Sequence, residues 1–273
     1  MIDERSDSRD RTCTGMTERE RKRRVFALKP FIKIFSYELK RLIFNRLFLA
    51  LLIITGLYSY MSLSREIILG IAFTAPFSPW SFGAYLSNVM PLLMITLLFF
   101  ITFMYSNHEK QVRQLTFAAP VVPFKFCLVK CASIIAGFFL VSLFVIILGM
   151  AFFAILFRFY SFGDFILPII LTLIPCLLFV LGAGLLLGSI HANILYILMI
   201  AALLLGFLQG NLPIPAFFDL YGARLFSTHP LTLPMGPDGE PAFTLPVYFI
   251  LGRFSFCSIG ILMTLFGIKR NKK

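Results

Sequence analysis

Carboxylates are scarce in this sequence, and they are kept out of its long apolar runs. After Glu38 the acidic residues are Glu66, Glu109, Asp164, Asp219, Asp238 and Glu240, and each falls in a segment expected to be a loop. Ion- and proton-coupled transporters hold their coupling ion on ionisable groups at mid-membrane, so this distribution argues against a secondary transporter. The three histidines, His108, His191 and His229, lie in separate loops, and neither HExxH nor Gly-x-Ser-x-Gly occurs, which leaves an intramembrane hydrolase without a site. No GxxxxGK[ST] occurs either, so the chain has no P-loop with which to bind ATP. Cys13, Cys127, Cys131, Cys176 and Cys257 have no metal-ligand spacing and read as small apolar residues.

Charge as a whole is low. Only 14% of the 273 residues are charged against 59% hydrophobic, and the mean hydropathy is +0.88, far from soluble globular usage, where about a quarter of residues are charged. The composition is that of an all-α polytopic membrane protein. The net charge of +12 follows topology: thirteen of the Lys and Arg lie up to Arg46, four between Lys110 and Lys130, and four from Lys269 onward. That asymmetry predicts both termini in the cytoplasm. The basic tail offers no folded base-reading or stacking surface, so nucleic acid is not an expected partner.

Residues 1–27 are polar, lack the apolar core of a signal peptide, and are expected to be a disordered tail; Met16 would serve as a start as well as Met1. Residues 28–273 are expected to form one transmembrane domain. Its first element is amphipathic, with Leu28, Phe31, Phe35, Leu39 and Leu42 on one stripe and Lys29, Lys33, Ser36 and Lys40 roughly opposite. Such a helix lies in the membrane interface with its lysines toward anionic headgroups, or else extends the first span into the cytoplasm. Six spans are expected at about 47–63, 85–104, 128–157, 165–188, 194–210 and 245–268. The outer loop from Arg65 to Phe82 contains Trp80, expected to be an interfacial anchor. Small residues recur along the later spans, at Gly137, Gly182, Gly184, Gly188, Ala202 and Gly206, as ordinary close packing of helices requires. The segment from Asn211 to Thr244 is too apolar to be disordered, and its first part, IPAFFDLYGARLF, is expected to dip back into the outer leaflet.

The stretch from Tyr105 to Lys130 is the long charged interruption between spans. Its spacing fits a short helix, with His108, Glu109, Lys110 and Arg113 on one side and Val112, Leu115 and Ala119 on another, ended by Pro120 and Pro123. Periodicity alone leaves two readings open, a solvated basic hairpin and a docking helix. Apart from Lys130, which opens the third span, Arg253 is the one charge inside a predicted span; it either snorkels to the outer interface or turns inward to an anionic substrate group or a backbone carbonyl.

Taken in order, FSYELKRLIFNRLF, six spans, the Glu-containing loop running into a proline and then a lysine, and the long outer segment before the last span resemble the permease subunit of ABC-2 type ABC transporters. Glu109, Pro120 and Lys130 match the family's recurrent Glu, Pro and Lys. The chain departs from the pattern at Gln114-Leu115-Thr116, where a glycine is common, and at Val121-Val122-Pro123. The resemblance implies a connecting helix from Phe31 to Asn45 and a coupling helix at Glu109–Ala119 that contacts a separate ATPase subunit through Glu109, Lys110, Val112, Arg113, Leu115 and Pro120. It further implies a second permease chain, ATP and Mg bound by the ATPase, a plasma-membrane location, and export; the 33 phenylalanines suit a hydrophobic or amphipathic substrate, and Arg253 is a candidate for the substrate path or outer gate. The alternative is a membrane anchor that recruits a soluble partner without transporting anything.

Overall fold

The computed structural model describes residues 32–106, 123–209, 218–236 and 241–270. Helix α1 covers residues 32–43, α2 covers Arg46–Ser62 and continues through a π turn at Leu63–Ile67, and α3 covers Pro79–Met104. After the undescribed residues 107–122 come α4 at Pro123–Phe157, α5 at Ile166–Gly188 and α6 at Ile194–Gln209. A short α7 at Ala223–Thr228 and the last helix, α8 at Val247–Arg270, complete the chain. No strand occurs among the described residues, apart from one isolated bridge between Met235 and Pro241. Helices are what apolar surroundings demand, because each backbone N–H and C=O is then satisfied within its own segment.

The chain is a multi-pass membrane protein: among the described residues five helices, Arg46–Ile67, Pro79–Met104, Phe126–Phe157, Phe162–Gly188 and Val247–Arg270, are long and apolar enough to cross a membrane. The segment expected as a fifth span is described only as far as Gln209. Its 16 described residues rise about 24 Å, less than the ~30 Å of a hydrocarbon core.

Local chemistry sets the helix ends. Asn45 separates α1 from α2, its side-chain oxygen accepting from the Leu47 N–H at 3.1 Å, so α1 is an element of its own and not the root of the first span. The α3 helix begins earlier than the apolar run suggests, at Pro79, because Ser78 caps it at the Ser81 N–H (3.2 Å) and proline suits its first position. Trp80 is consequently helical. It is buried, packing against Phe226 and Phe243 (ring centroids 6.3 and 4.7 Å), which corrects the expectation of an interfacial anchor. At the far end of α4, Arg158 takes a positive φ of 52° and turns the chain into α5.

Packing centres on α5 and α8, which run parallel with their backbones in contact. A Cβ on Gly260 would lie 2.5 Å from the Leu178 carbonyl, one on Gly182 would lie 2.3 Å from the Gly260 carbonyl oxygen, and Gly267 lies against Leu185 and Leu186. In a bilayer, where lipid is as apolar as leucine, such close approach is a main source of helix association. The α3 helix lies on the other side of α5, with Gly184 against Ile101 and Leu98. Antiparallel to α3 are α2, through Phe48 stacked on Phe100 at 5.8 Å, and α4, through Phe82, Tyr85 and Gly149. The Tyr85 hydroxyl joins all three, donating to the Val145 carbonyl at 2.8 Å and meeting the Ser59 hydroxyl. These contacts place α1 and the ends of α3, α5 and α8 on one face of the bundle, hereafter the terminal face.

Replacing Gly260 by Ala is expected to cost about 1–3 kcal/mol by forcing the two backbones apart. Gly163→Ala, at a position with nothing within 4 Å of the new methyl group, should be close to neutral. Thermal unfolding of the purified protein in detergent distinguishes the two; equal melting temperatures would contradict the backbone contact.

Candidate functional site

On the terminal face, α1 lies along α3 and α4 with its apolar side inward: Leu42 is buried, Phe35 and Leu39 are half-buried, and Lys33 and Lys40 are exposed. Phe31 lies outside the described residues, as do Glu109, Lys110, Val112, Arg113, Leu115 and Pro120 of the expected coupling helix. What the structure places are the two flanks of that segment. Before it, Tyr105 donates its hydroxyl to the Leu185 carbonyl at 2.7 Å and lays its ring where a side chain on Gly188 would be. Beyond it, Lys130 of α4 is buried beside Glu38 of α1, Nζ to Oε1 3.8 Å, and Glu38 also faces Arg41 at 3.7 Å. The segment therefore leaves from the α5–α8 block and returns to a helix tied to α1.

On the opposite face, residues 218–236 fold back over the bundle. The Asp219 carboxylate is buried and accepts from the backbone N–H groups of Gly222 (2.8 Å), Arg224 (2.9 Å) and Leu225 (3.4 Å). The Leu220 carbonyl accepts from Cys176 Sγ of α5 at 2.8 Å and from the Arg253 guanidinium of α8. Tyr221 donates to the Ala202 carbonyl of α6 at 2.9 Å; burial pushes its phenol up, which keeps it a donor. Arg253 is 3% exposed, its guanidinium 4.3 Å over the Phe249 ring, so the side chain turns inward instead of snorkelling. Gly222 has a φ of 82° and sits where any side chain would meet Arg253 Nη2 at 2.8 Å. His229 lies against Trp80, and burial holds its imidazole below the ordinary value.

Between α2, α3 and α6 is a lateral cavity of about 240 Å³ lined by Ile54, Tyr58, Asn88, Pro91, Leu203 and Phe207. Asn88 Nδ2 donates to the Glu66 carboxylate at 2.6 Å, and Ser62 donates to the same oxygen at 3.4 Å. Glu66 thus belongs to the continued first helix, a correction to the reading in which no span carries a carboxylate. The π turn that carries it left no periodic trace in the sequence. Among the described residues no cluster of three or more His, Cys, Asp or Glu is placed to hold a metal.

Comparison of the chain with protein-family models, with curated proteins and with solved structures returned no match. The Glu38–Lys130 pair was not foreseen, although a single acid among basic residues and a lysine inside an apolar helix were the available signals. Nothing comparable announced the fastening of Leu220, which depends on a backbone carbonyl.

Arg253→Ala is expected to lower stability by about 2–3 kcal/mol, the loss of a charge-assisted bond in a dry site, and to loosen the segment above Trp80. Because Trp80 is the sole tryptophan, its emission should shift to the red in this variant and not in Arg65→Ala, at an exposed position. An unshifted Arg253→Ala spectrum would show that Arg253 does not hold the segment.

Proposed function

We propose that this chain is the membrane-spanning permease subunit of an ATP-driven exporter of the ABC-2 type, working with a separate ATPase subunit and a second permease chain. The observation that carries the proposal is the fastening of both flanks of the 107–122 segment, at Tyr105 and at Lys130. A soluble partner that engages this segment pushes on both the α5–α8 block and the α1–α4 pair. ATP binding that favours one arrangement of the partner then biases the arrangement of the helices, a population shift between linked sites. The order of sequence parts, the absence of a P-loop, and an amphipathic α1 separated from α2 at Asn45 support the same reading.

In this proposal α6 completes a sixth crossing, the terminal face is cytoplasmic, and the membrane is the plasma membrane. The lateral cavity receives the cargo. Its walls are apolar apart from Asn88 and the Tyr58 hydroxyl, which suits a hydrophobic or amphipathic molecule. Energy supplied by ATP removes the need for a coupling carboxylate at mid-membrane.

Affinity purification of the full chain in mild detergent, followed by mass spectrometry and an ATPase assay, tests the partner. A nucleotide-binding subunit in near-equal amount is expected, with the ATPase rate of the complex falling at least several-fold in Glu109→Ala/Arg113→Ala. Recovery of the chain alone and without ATPase activity would leave the membrane-anchor reading in its place. Orientation is tested by single cysteines at Lys40, Tyr160 and Lys269 labelled in intact cells with an impermeant maleimide. Tyr160 alone should react; labelling of Lys40 or Lys269 would invert the topology.

A further inference from the structure

Lys130 stands seven residues into α4, a helix of 35 residues and so about 50 Å long, roughly 20 Å more than a hydrocarbon core needs. Its surplus length lets its first turns stand on the terminal face, and there Lys130 is covered to 6% exposure. A covered ammonium is costly unless it is paired. Its partners among the described residues include the Glu38 carboxylate of α1 at 3.8 Å and, on its own helix, the Phe126 ring, 4.5 Å below Nζ. Glu38 is itself largely covered, its side chain 16% exposed, and Arg41 at 3.7 Å holds its second oxygen. Beside the pair is a cavity of about 50 Å³ whose wall carries Glu38, Arg41, Asn45 and Lys130 together with apolar residues such as Leu42 and Phe100, large enough to admit water.

The two flanks of the 107–122 segment are thus fastened in different ways. At Tyr105 the joint is a ring packed against a glycine and a hydrogen bond to backbone, a contact with little freedom. At Lys130 it is an ion pair between two helices beside a small cavity, a contact that can lengthen and re-form. We infer that the Glu38–Lys130 pair is the link through which α1 follows α4, so that α1 belongs to the moving train driven from the 107–122 segment. Glu38 and Lys130 are positioning residues in this scheme. The inference rests on the permease reading for its functional part, while the link between the helices stands on the geometry alone.

The test uses the full chain with its co-purified partner, native cysteines replaced, and spin labels at Lys40 and Leu128, both exposed. Pulsed electron resonance should give one narrow distance in the unaltered pair, with and without ATP and vanadate. Glu38→Gln and Lys130→Gln should each at least double the width. The exchange Glu38→Lys with Lys130→Glu should restore it, and Glu38→Gln keeps the test usable if the lysine variants insert poorly. Narrow distances in both single variants, or a broad one in the exchange, would overturn the link. The ATPase rate of the complex relative to the isolated ATPase reads the functional part: it should fall to within about twofold of unity in the single variants, with the partner still bound, and return in the exchange. An unchanged ratio despite a broadened distance would remove α1 from the transmission. A narrow wild-type distance in a chain that brings down no ATPase would count against the permease reading and for the link.

Discussion

Everything in this bundle is referenced to the backbone contact between α5 and α8. At Gly182, Gly260 and Gly267 the backbones of the two helices approach directly, with Phe179 of α5 packed on Phe256 of α8 in the same seam. Dispersion falls off steeply with distance, and a glycine contact brings more atoms within range per turn than a leucine-lined one. The α3 helix then uses the other side of α5, through Gly184 and Gly188, and presents Tyr105 to the Leu185 carbonyl. The exposed faces of α2 and α6, with residues such as Ile53, Leu57, Ile197 and Phe207, are apolar and are where the bundle meets its surroundings.

From that block the two faces acquire different characters. The opposite face is covered by a folded segment fastened chiefly through backbone groups: Asp219 accepts from three N–H groups, Arg253 and Cys176 donate to the Leu220 carbonyl, and Tyr221 donates to the Ala202 carbonyl. Such bonds do not depend on the identity of a neighbouring side chain and are hard to slide. The terminal face instead carries ionic pairs between side chains, Glu38 with Arg41 and Lys130, beside a small cavity. A cover fastened to backbone on one side and a side-chain joint on the other suit the proposed function, in which the domain is driven from the terminal face.

Much of this was legible in the sequence where a single physical signal dominates. Long apolar runs gave five of the helices, and the stripe of Phe35, Leu39 and Leu42 gave α1, because lipid and interface act on every residue of such a segment. The glycine positions could be recognised as close contacts, though not their partners. Trp80 was misjudged because proximity to a membrane boundary and burial under a distant segment produce the same local sequence. Glu66 was misplaced because the helix continues through a π turn that breaks the period. The side on which Arg253 would settle could not be read, since its acceptor is the carbonyl of Leu220, which any residue would supply.

The most direct measurement of the central claim is an electron cryomicroscopy reconstruction of the full chain purified together with whatever remains bound to it. The expected result is an ATPase subunit seated on the terminal face, touching the segment between Tyr105 and Pro123, with the α5–α8 seam intact beneath it. A partner bound to the opposite face, or a stable particle with nothing on the terminal face, would contradict the account.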